Sequence, residues 1–171
     1  MRVASGIGAA ILTAAVLGAC SSDRSDSLIT PGVPAAVCVP VGADGMAVVG
    51  LDSVVNESSA RVEVTSIELE GAAGIDLIGA ALVRGETEGF LGVASGAADG
   101  RIDDRHVPLE PGADATVQVT LRKTAVGDGT ATALRVLFES DGKKGALRTS
   151  TTIRLRGAGQ DCASVSDLAK G

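Results

Sequence analysis

The side chains that could do chemistry are few and widely spaced. His106 is the single histidine of the 171 residues, so a two-histidine zinc motif is excluded and any serine–histidine relay depends on that one ring. Gly92-Val93-Ala94-Ser95-Gly96 places its serine one position late for a nucleophile elbow. Ser140-Asp141-Gly142-Lys143 matches S-x-x-K, in which a lysine activates a serine at a helix start. Here the four residues read as a hairpin turn, and Lys123-Thr124-Ala125 fails the companion K-T-G. Asp99, Asp103 and Asp104, near Glu86 and Glu88, are the kind of carboxylates that hard cations use, but Arg101 and Arg105 lie among them and the spacing is not that of an EF-hand loop. Neither a catalytic site nor a metal site is assigned, and no cofactor is implied.

Three cysteines remain, Cys20, Cys38 and Cys162. An odd number invites separate roles. Arg2 and the apolar run from Ile7 to Val16 have the form of a signal segment, too short for a permanent membrane helix. Leu17-Gly18-Ala19-Cys20 then resembles the lipobox of bacterial lipoproteins. That resemblance implies cleavage before Cys20, a diacylglycerol thioether on its thiol, and a mature protein held by lipid on the outer face of the cell membrane. More than one acyl chain makes such anchoring stable.

With Cys20 acylated, Cys38 and Cys162 form an even pair in an oxidising compartment, and a disulfide between them is the simplest expectation. Two buried free thiols, or a metal site lacking C-x-x-C spacing, are the alternatives. In the chain-entropy model a bridge over a loop of this length contributes on the order of 5 kcal/mol.

The elements that must position these residues alternate with the period of strands. In Thr116 to Arg122, Val117, Val119 and Leu121 share one face while Gln118, Thr120 and Arg122 share the other, the pattern of a half-buried strand. Thr132 to Glu139 puts Leu134, Val136 and Phe138 together, and Leu147 to Arg156 aligns Thr151, Ile153 and Leu155. Asp141-Gly142 between these two segments is a hairpin signal. In Arg61 to Glu70 the phase slips near Thr65-Ser66, and in Ile75 to Val83 it slips near Gly79, which predicts bulges or strands that change sheets. Further strands are expected over Met46 to Leu51, Gly89 to Val93 and Arg105 to Leu109, with Ser164 to Ala169 helical.

This pattern predicts an all-β chain: an antiparallel immunoglobulin-like β-sandwich of about seven or eight strands, preceded by a signal helix and a flexible tether. The expected divisions are a signal peptide over 1–19, a lipidated N-terminus and tether over 20–37, the sandwich over 38–162 and a C-terminal tail over 163–171. A flexible chain of about 17 residues has a mean reach of roughly 22 Å. The strand Val62-Glu63-Val64-Thr65-Ser66-Ile67-Glu68-Leu69, the segments Gly74 to Ala80 and Leu109 to Gly112, and the strand Val117 to Leu121 carry a resemblance. With the Asp141-Gly142 hairpin and Cys162, they are similar to the immunoglobulin-like domains of actinobacterial lipoproteins. The resemblance implies a fold with an adhesive or scaffolding tendency and no reaction.

Composition narrows the partners. The formal net charge is −6, with two phenylalanines, no tyrosine and no tryptophan, so surfaces that stack sugars or bases are disfavoured and nucleic acid is not expected. Bases concentrate late in the chain, and Arg148, Arg154 and Arg156 fall on one strand face. That stripe is the candidate binding face for an envelope protein, an anionic polymer or lipid headgroups. A solvated face balanced by nearby acids is the alternative. The function expected is a lipid-anchored extracytoplasmic binding or scaffolding module without enzymatic turnover, the alternatives being an exported serine hydrolase and a small-ligand carrier. Phe90 and Phe138 are the expected aromatic core anchors.

Overall fold

Alternating valines and leucines pair into twelve strand segments: β1 (Leu28–Ile29), β2 (Ala35–Pro40), β3 (Met46–Asn56), β4 (Val62–Glu70), β5 (Ile75–Val83), β6 (Gly92–Ser95), β7 (Arg105–His106), β8 (Asp114–Lys123), β9 (Gly129–Ala131), β10 (Ala133–Ser140), β11 (Lys143–Arg148) and β12 (Thr151–Arg156). The structure is a computed structural model and describes residues 27–31, 34–84, 92–95, 105–106 and 108–162. Cys20, Phe90, the acidic residues at 86, 88, 99, 103 and 104, and the expected C-terminal helix lie outside the described residues.

One layer runs β1-β3-β8-β5-β7, with β6 also on β3. The second layer is built from β11-β10-β4 and β2-β12-β9. These two small sheets share strands: β9 continues into β10 through Thr132, and β11 into β12 through Thr149 and Ser150. The Thr149 amide donates to the Leu134 carbonyl at 2.8 Å, carrying the ladder across that break. Counted this way, the expected seven or eight strands and the twelve segments describe one object, because breaks divide the long hairpin and two short strands join from the β5–β8 connection.

The pairings follow immunoglobulin order. β3 pairs β8 and β8 pairs β5; β4 pairs β10 and β10 pairs β11. The fold is an antiparallel immunoglobulin-like β-sandwich. Among the described residues, only β2 on β12 and β7 on β5 run parallel.

Both phase slips are bulges. Opposite β10 the register passes from Ser66 to Val64, leaving Thr65 extra, and opposite β8 it passes from Leu77 to Gly79, leaving Ile78 extra. A third shift, between Gly50 and Asp52 in β3, is not visible as a break in the sequence pattern.

Between the layers lie Val117, Val119 and Leu121 from β8 and Leu134, Val136 and Phe138 from β10, all buried. Ile153 and Leu155 join them from β12. Leu28 is 1% exposed in the same core. β1 pairs Leu28 with Asn56, so Leu28, upstream of Cys38, is part of the sandwich. β1 lies on β3 and β2 on β12, so two segments that read as tether belong to different layers; Pro31 and Pro34 stand outside both ladders.

The reading of β8 as half-buried is corrected. Gln118 and Thr120, on the face turned away from the core, are 5% and 3% exposed, and their neighbours Val48 and Ala81 are also buried. β8 is central, between β3 and β5, and its middle is buried on both faces.

At the hairpin tip Asp141 and Gly142 have φ of 51° and 70°. Both central residues are left-handed, as a type I′ turn requires. Gly129 answers a different need: a Cβ there would lie 2.2 Å from the Ile75 side chain and 2.7 Å from the Gly74 carbonyl.

Candidate functional site

The serines are committed to the backbone. Ser95 Oγ donates to the Pro40 carbonyl at 2.6 Å and Ser140 Oγ to the Arg61 carbonyl at 3.4 Å. Ser140 pairs with Lys143 across the hairpin, so S-x-x-K sits in a β-turn and not at a helix start. Among the described residues no group of three or more His, Cys, Asp or Glu could hold a metal ion. The side chain of His106 is outside the described set.

Cys38 and Cys162 form a disulfide with their Cα atoms 5.7 Å apart. Cys38 lies on β2 opposite Arg154 of β12. The bridge therefore clips the segment after β12 back onto the strand that flanks it, closing nearly the whole sandwich into one covalent loop.

The predicted basic stripe keeps its parity. Residues 148 to 156 alternate, with Thr149, Thr151, Ile153 and Leu155 buried and the three arginines turned out. Each arginine meets an acid: Arg148 Nε lies 2.7 Å from Glu70 Oε1, and Arg154 and Arg156 share Asp128 at 3.9 and 3.6 Å. At those separations the two Nε atoms make charge contacts without hydrogen bonds, and both are buried without a hydrogen-bond partner. Glu70 and Asp128 come from β4 and the loop before β9, so no spacing within β12 reveals them.

Cations without such partners lie elsewhere on the same layer. Among the described residues, no ion pair reaches Arg135, Lys143 or Lys144. The register organises this face into rungs. Glu68, Arg135 and Arg148 form one, Ser66, Leu137 and Ala146 the next, and Glu63, Glu139 and Lys144 the third. Two charged rungs thus flank an uncharged one with Leu137 at its centre. Between them runs an open groove of about 430 Å³, with Leu137, Ala146, Gly145 and Thr65 along it and Arg135, Glu139 and Lys144 at its sides. Small side chains on the outer strands leave the space, and the Thr65 bulge widens it on the β4 side. A second cavity of about 280 Å³ lies between β4 and β5 and is lined by both bulges, Thr65 and Ile78.

Two polar residues, Asp52 and Asn56, are buried in a way the sequence does not show, although Asn56-Glu57-Ser58 reads as turn chemistry. Asp52, 6% exposed, accepts from Thr151 Oγ1 at 2.7 Å and so ties β3 to β12 across the interior. Burial pushes its carboxyl above the usual aspartate range, while hydrogen bonds from Thr151 and Thr149 pull the other way. The register shift at Gly50/Asp52 is what aims this residue between the layers. Asn56 is fully buried; its amide donates to the carbonyls of Ala60 at 2.8 Å and Leu109 at 2.9 Å. Its Oδ1 accepts from the Ser58 amide and hydroxyl. Asn56-Glu57-Ser58, which has the form of a glycosylation acceptor, is an Asx turn that pins the β3–β4 connection to Leu109.

No protein-family model matches the chain, and no curated protein is similar to it in sequence. Solved structures resemble it in shape. The ASH/PapD-like domain 7 of human CEP192 aligns with 92% of this chain and 100% of its own, at 11% identity and a TM-score of 0.43. Vibrio cholerae VesB protease aligns at 11% identity and a TM-score of 0.41, and the secreted serine protease VesC from the same organism at 14% and 0.35. They cover 78% and 86% of this chain, which spans only 33% and 26% of theirs.

Proposed function

We propose that this chain is a lipid-anchored extracytoplasmic binding module of the bacterial cell envelope, acting through contact and without turnover. The Cys20 lipobox and the disulfide support the compartment. The observation that carries the binding reading is the groove over Leu137, because it combines an apolar floor with Arg135 and Lys144, which no carboxylate among the described residues engages. A partner surface that brings an apolar side chain and an acidic group gains both burial and charge pairing there. An envelope protein or an anionic wall polymer fits that description. Of the arginine stripe, Arg148 stands beside this site opposite Arg135, and the charges of Arg148, Arg154 and Arg156 are already met by Glu70 and Asp128.

Photocrosslinking in cells from position 137 tests the reading. Recovery of a discrete envelope component, lost when Arg135 and Lys144 are replaced by glutamate, is the expected result. Crosslinks to lipid alone would remove the partner. Labelling by a serine-reactive phosphonate, abolished by Ser95→Ala or Ser140→Ala, would instead restore the hydrolase alternative.

A further inference from the structure

The topology separates the two ends of the sandwich, and the chain enters at only one of them. The Glu57 amide donates to the Ser27 carbonyl at 3.1 Å, and Leu28 pairs with Asn56, the last residue of β3. At this end also lie the Glu57 to Arg61 connection, held by Asn56, and the Asp141-Gly142 hairpin tip, tied to it by the bond from Ser140 Oγ to the Arg61 carbonyl. The opposite end gathers Gly45, Lys123 and Arg156: the Lys123 amide donates to the Gly45 carbonyl at 2.9 Å and the Val41 amide to the Arg156 carbonyl at 3.0 Å. The turn at 157–160 is there too, closed by the Gln160 amide on the Gly157 carbonyl.

Cys20 stands only seven residue steps before Ser27. At about 3.5 Å per residue that length of chain spans at most about 25 Å. The eleven residues of β3 alone run end to end for about 33 Å at about 3.3 Å per residue. The connection is shorter than the body it holds, so the far end cannot be turned down onto the surface that carries the lipid.

We propose that the sandwich stands on the membrane with the Glu57–Arg61 connection and the Asp141-Gly142 hairpin as its base, and presents the Arg156 end and the turn at 157–160 away from the lipid. This rests on Cys20 being the anchor. Charge is not what sets the orientation: Lys143 and Lys144 at the base are accompanied by Glu57, Glu110 and Asp141. Tether length sets which end can reach the surface. The groove over Leu137 then opens sideways, toward neighbours in the same membrane, while Arg154, Asp128 and Arg156 face outward.

The test uses the full lipidated protein in vesicles of phosphatidylethanolamine and phosphatidylglycerol bearing a headgroup quencher. A fluorophore is attached to Lys143→Cys or to Ala158→Cys, both exposed positions in turns or strand ends. Several-fold stronger quenching at 143 than at 158 is expected, and a flexible insertion after Ser22 longer than the sandwich should shrink the difference. Equal or reversed quenching in a protein that remains anchored overturns the orientation alone. If Cys20→Ser leaves the protein on the vesicles with its quenching unchanged, the anchor reading falls, and the orientation with it.

Discussion

The two layers of this sandwich have the same alternating sequence pattern and opposite outer surfaces. In β8, Gln118 and Thr120 are turned away from the core and are nevertheless buried beside Val48 and Ala81. In β10, Arg135, Leu137 and Glu139 are turned away from the core, and they form an open groove. Alternation reports which residues share a face, but not what lies over that face. The comparison teaches where to look for function: over the middle of β8 the outward residues are buried and their end is closed by the Arg122–Asp76 ion pair, whereas the layer with charged rungs around Leu137 is open to a partner.

Neighbouring residues on one strand break this comparison most sharply. Phe138 is 2% exposed in the core and Leu137 is its outward neighbour. Phe138→Ala should cost about 3 to 5 kcal/mol, measured by denaturant unfolding, whereas Leu137→Ala should leave stability within about 1 kcal/mol and act on binding instead. Comparable losses at both would mean that the outer face is packed too.

Next in size is the staple on the groove-bearing layer. Replacing Cys38 and Cys162 together by serine should cost about 2 to 5 kcal/mol, and reductant should lower the melting temperature of the wild type but not of the double variant. A reductant effect that persists in the variant would place the sensitivity elsewhere.

Asp52 joins the two layers and gives their contact a pH dependence. Because its folded-state pKa is raised by burial, the unfolded chain gives up this proton first as pH rises. The contribution of Asp52 to stability therefore declines from about pH 3.9, the unfolded aspartate value, through the higher folded value, and is level above it. Asp52→Asn keeps an acceptor for Thr151 and should flatten that decline, leaving the variant at neutral pH at least as stable as the wild type. An unchanged pH profile would show that another group carries it.

The smallest effect sharpens the contrast between the outer faces. Thr120 Oγ1 is buried without a hydrogen-bond partner among the described residues, so Thr120→Val should stabilise by about 1 kcal/mol. Thr65→Val, on the open layer, should change stability by less than about 0.5 kcal/mol. A loss at position 120 would mean that its hydroxyl is satisfied in solution.

Much of the fold is legible in local pattern, for a definite reason. Side chains alternate strictly along a strand, so the slips at Thr65 and Gly79 announce bulges, and Asp141-Gly142 announces a turn whose backbone few other pairs adopt. The bulge that aims Asp52 inward leaves no such mark. It sits in Met46-Ala47-Val48-Val49-Gly50-Leu51, where both faces of the strand are apolar and a shift of one residue changes nothing in the text. Leu28 was hidden for another reason: a two-residue strand is too short to show a period.

Residue types and their spacing along the chain established the longer strands, the hairpin and the even cysteine pair, since each depends on neighbours within a few positions or on a simple count. Tertiary structure decided which cations are answered. Arg154 and Arg156 meet Asp128, Arg148 meets Glu70, and Arg135 and Lys144 are left at the groove. Electrostatic pairing acts through a few ångströms of space, and strands distant in sequence are brought that close only when the sheets assemble.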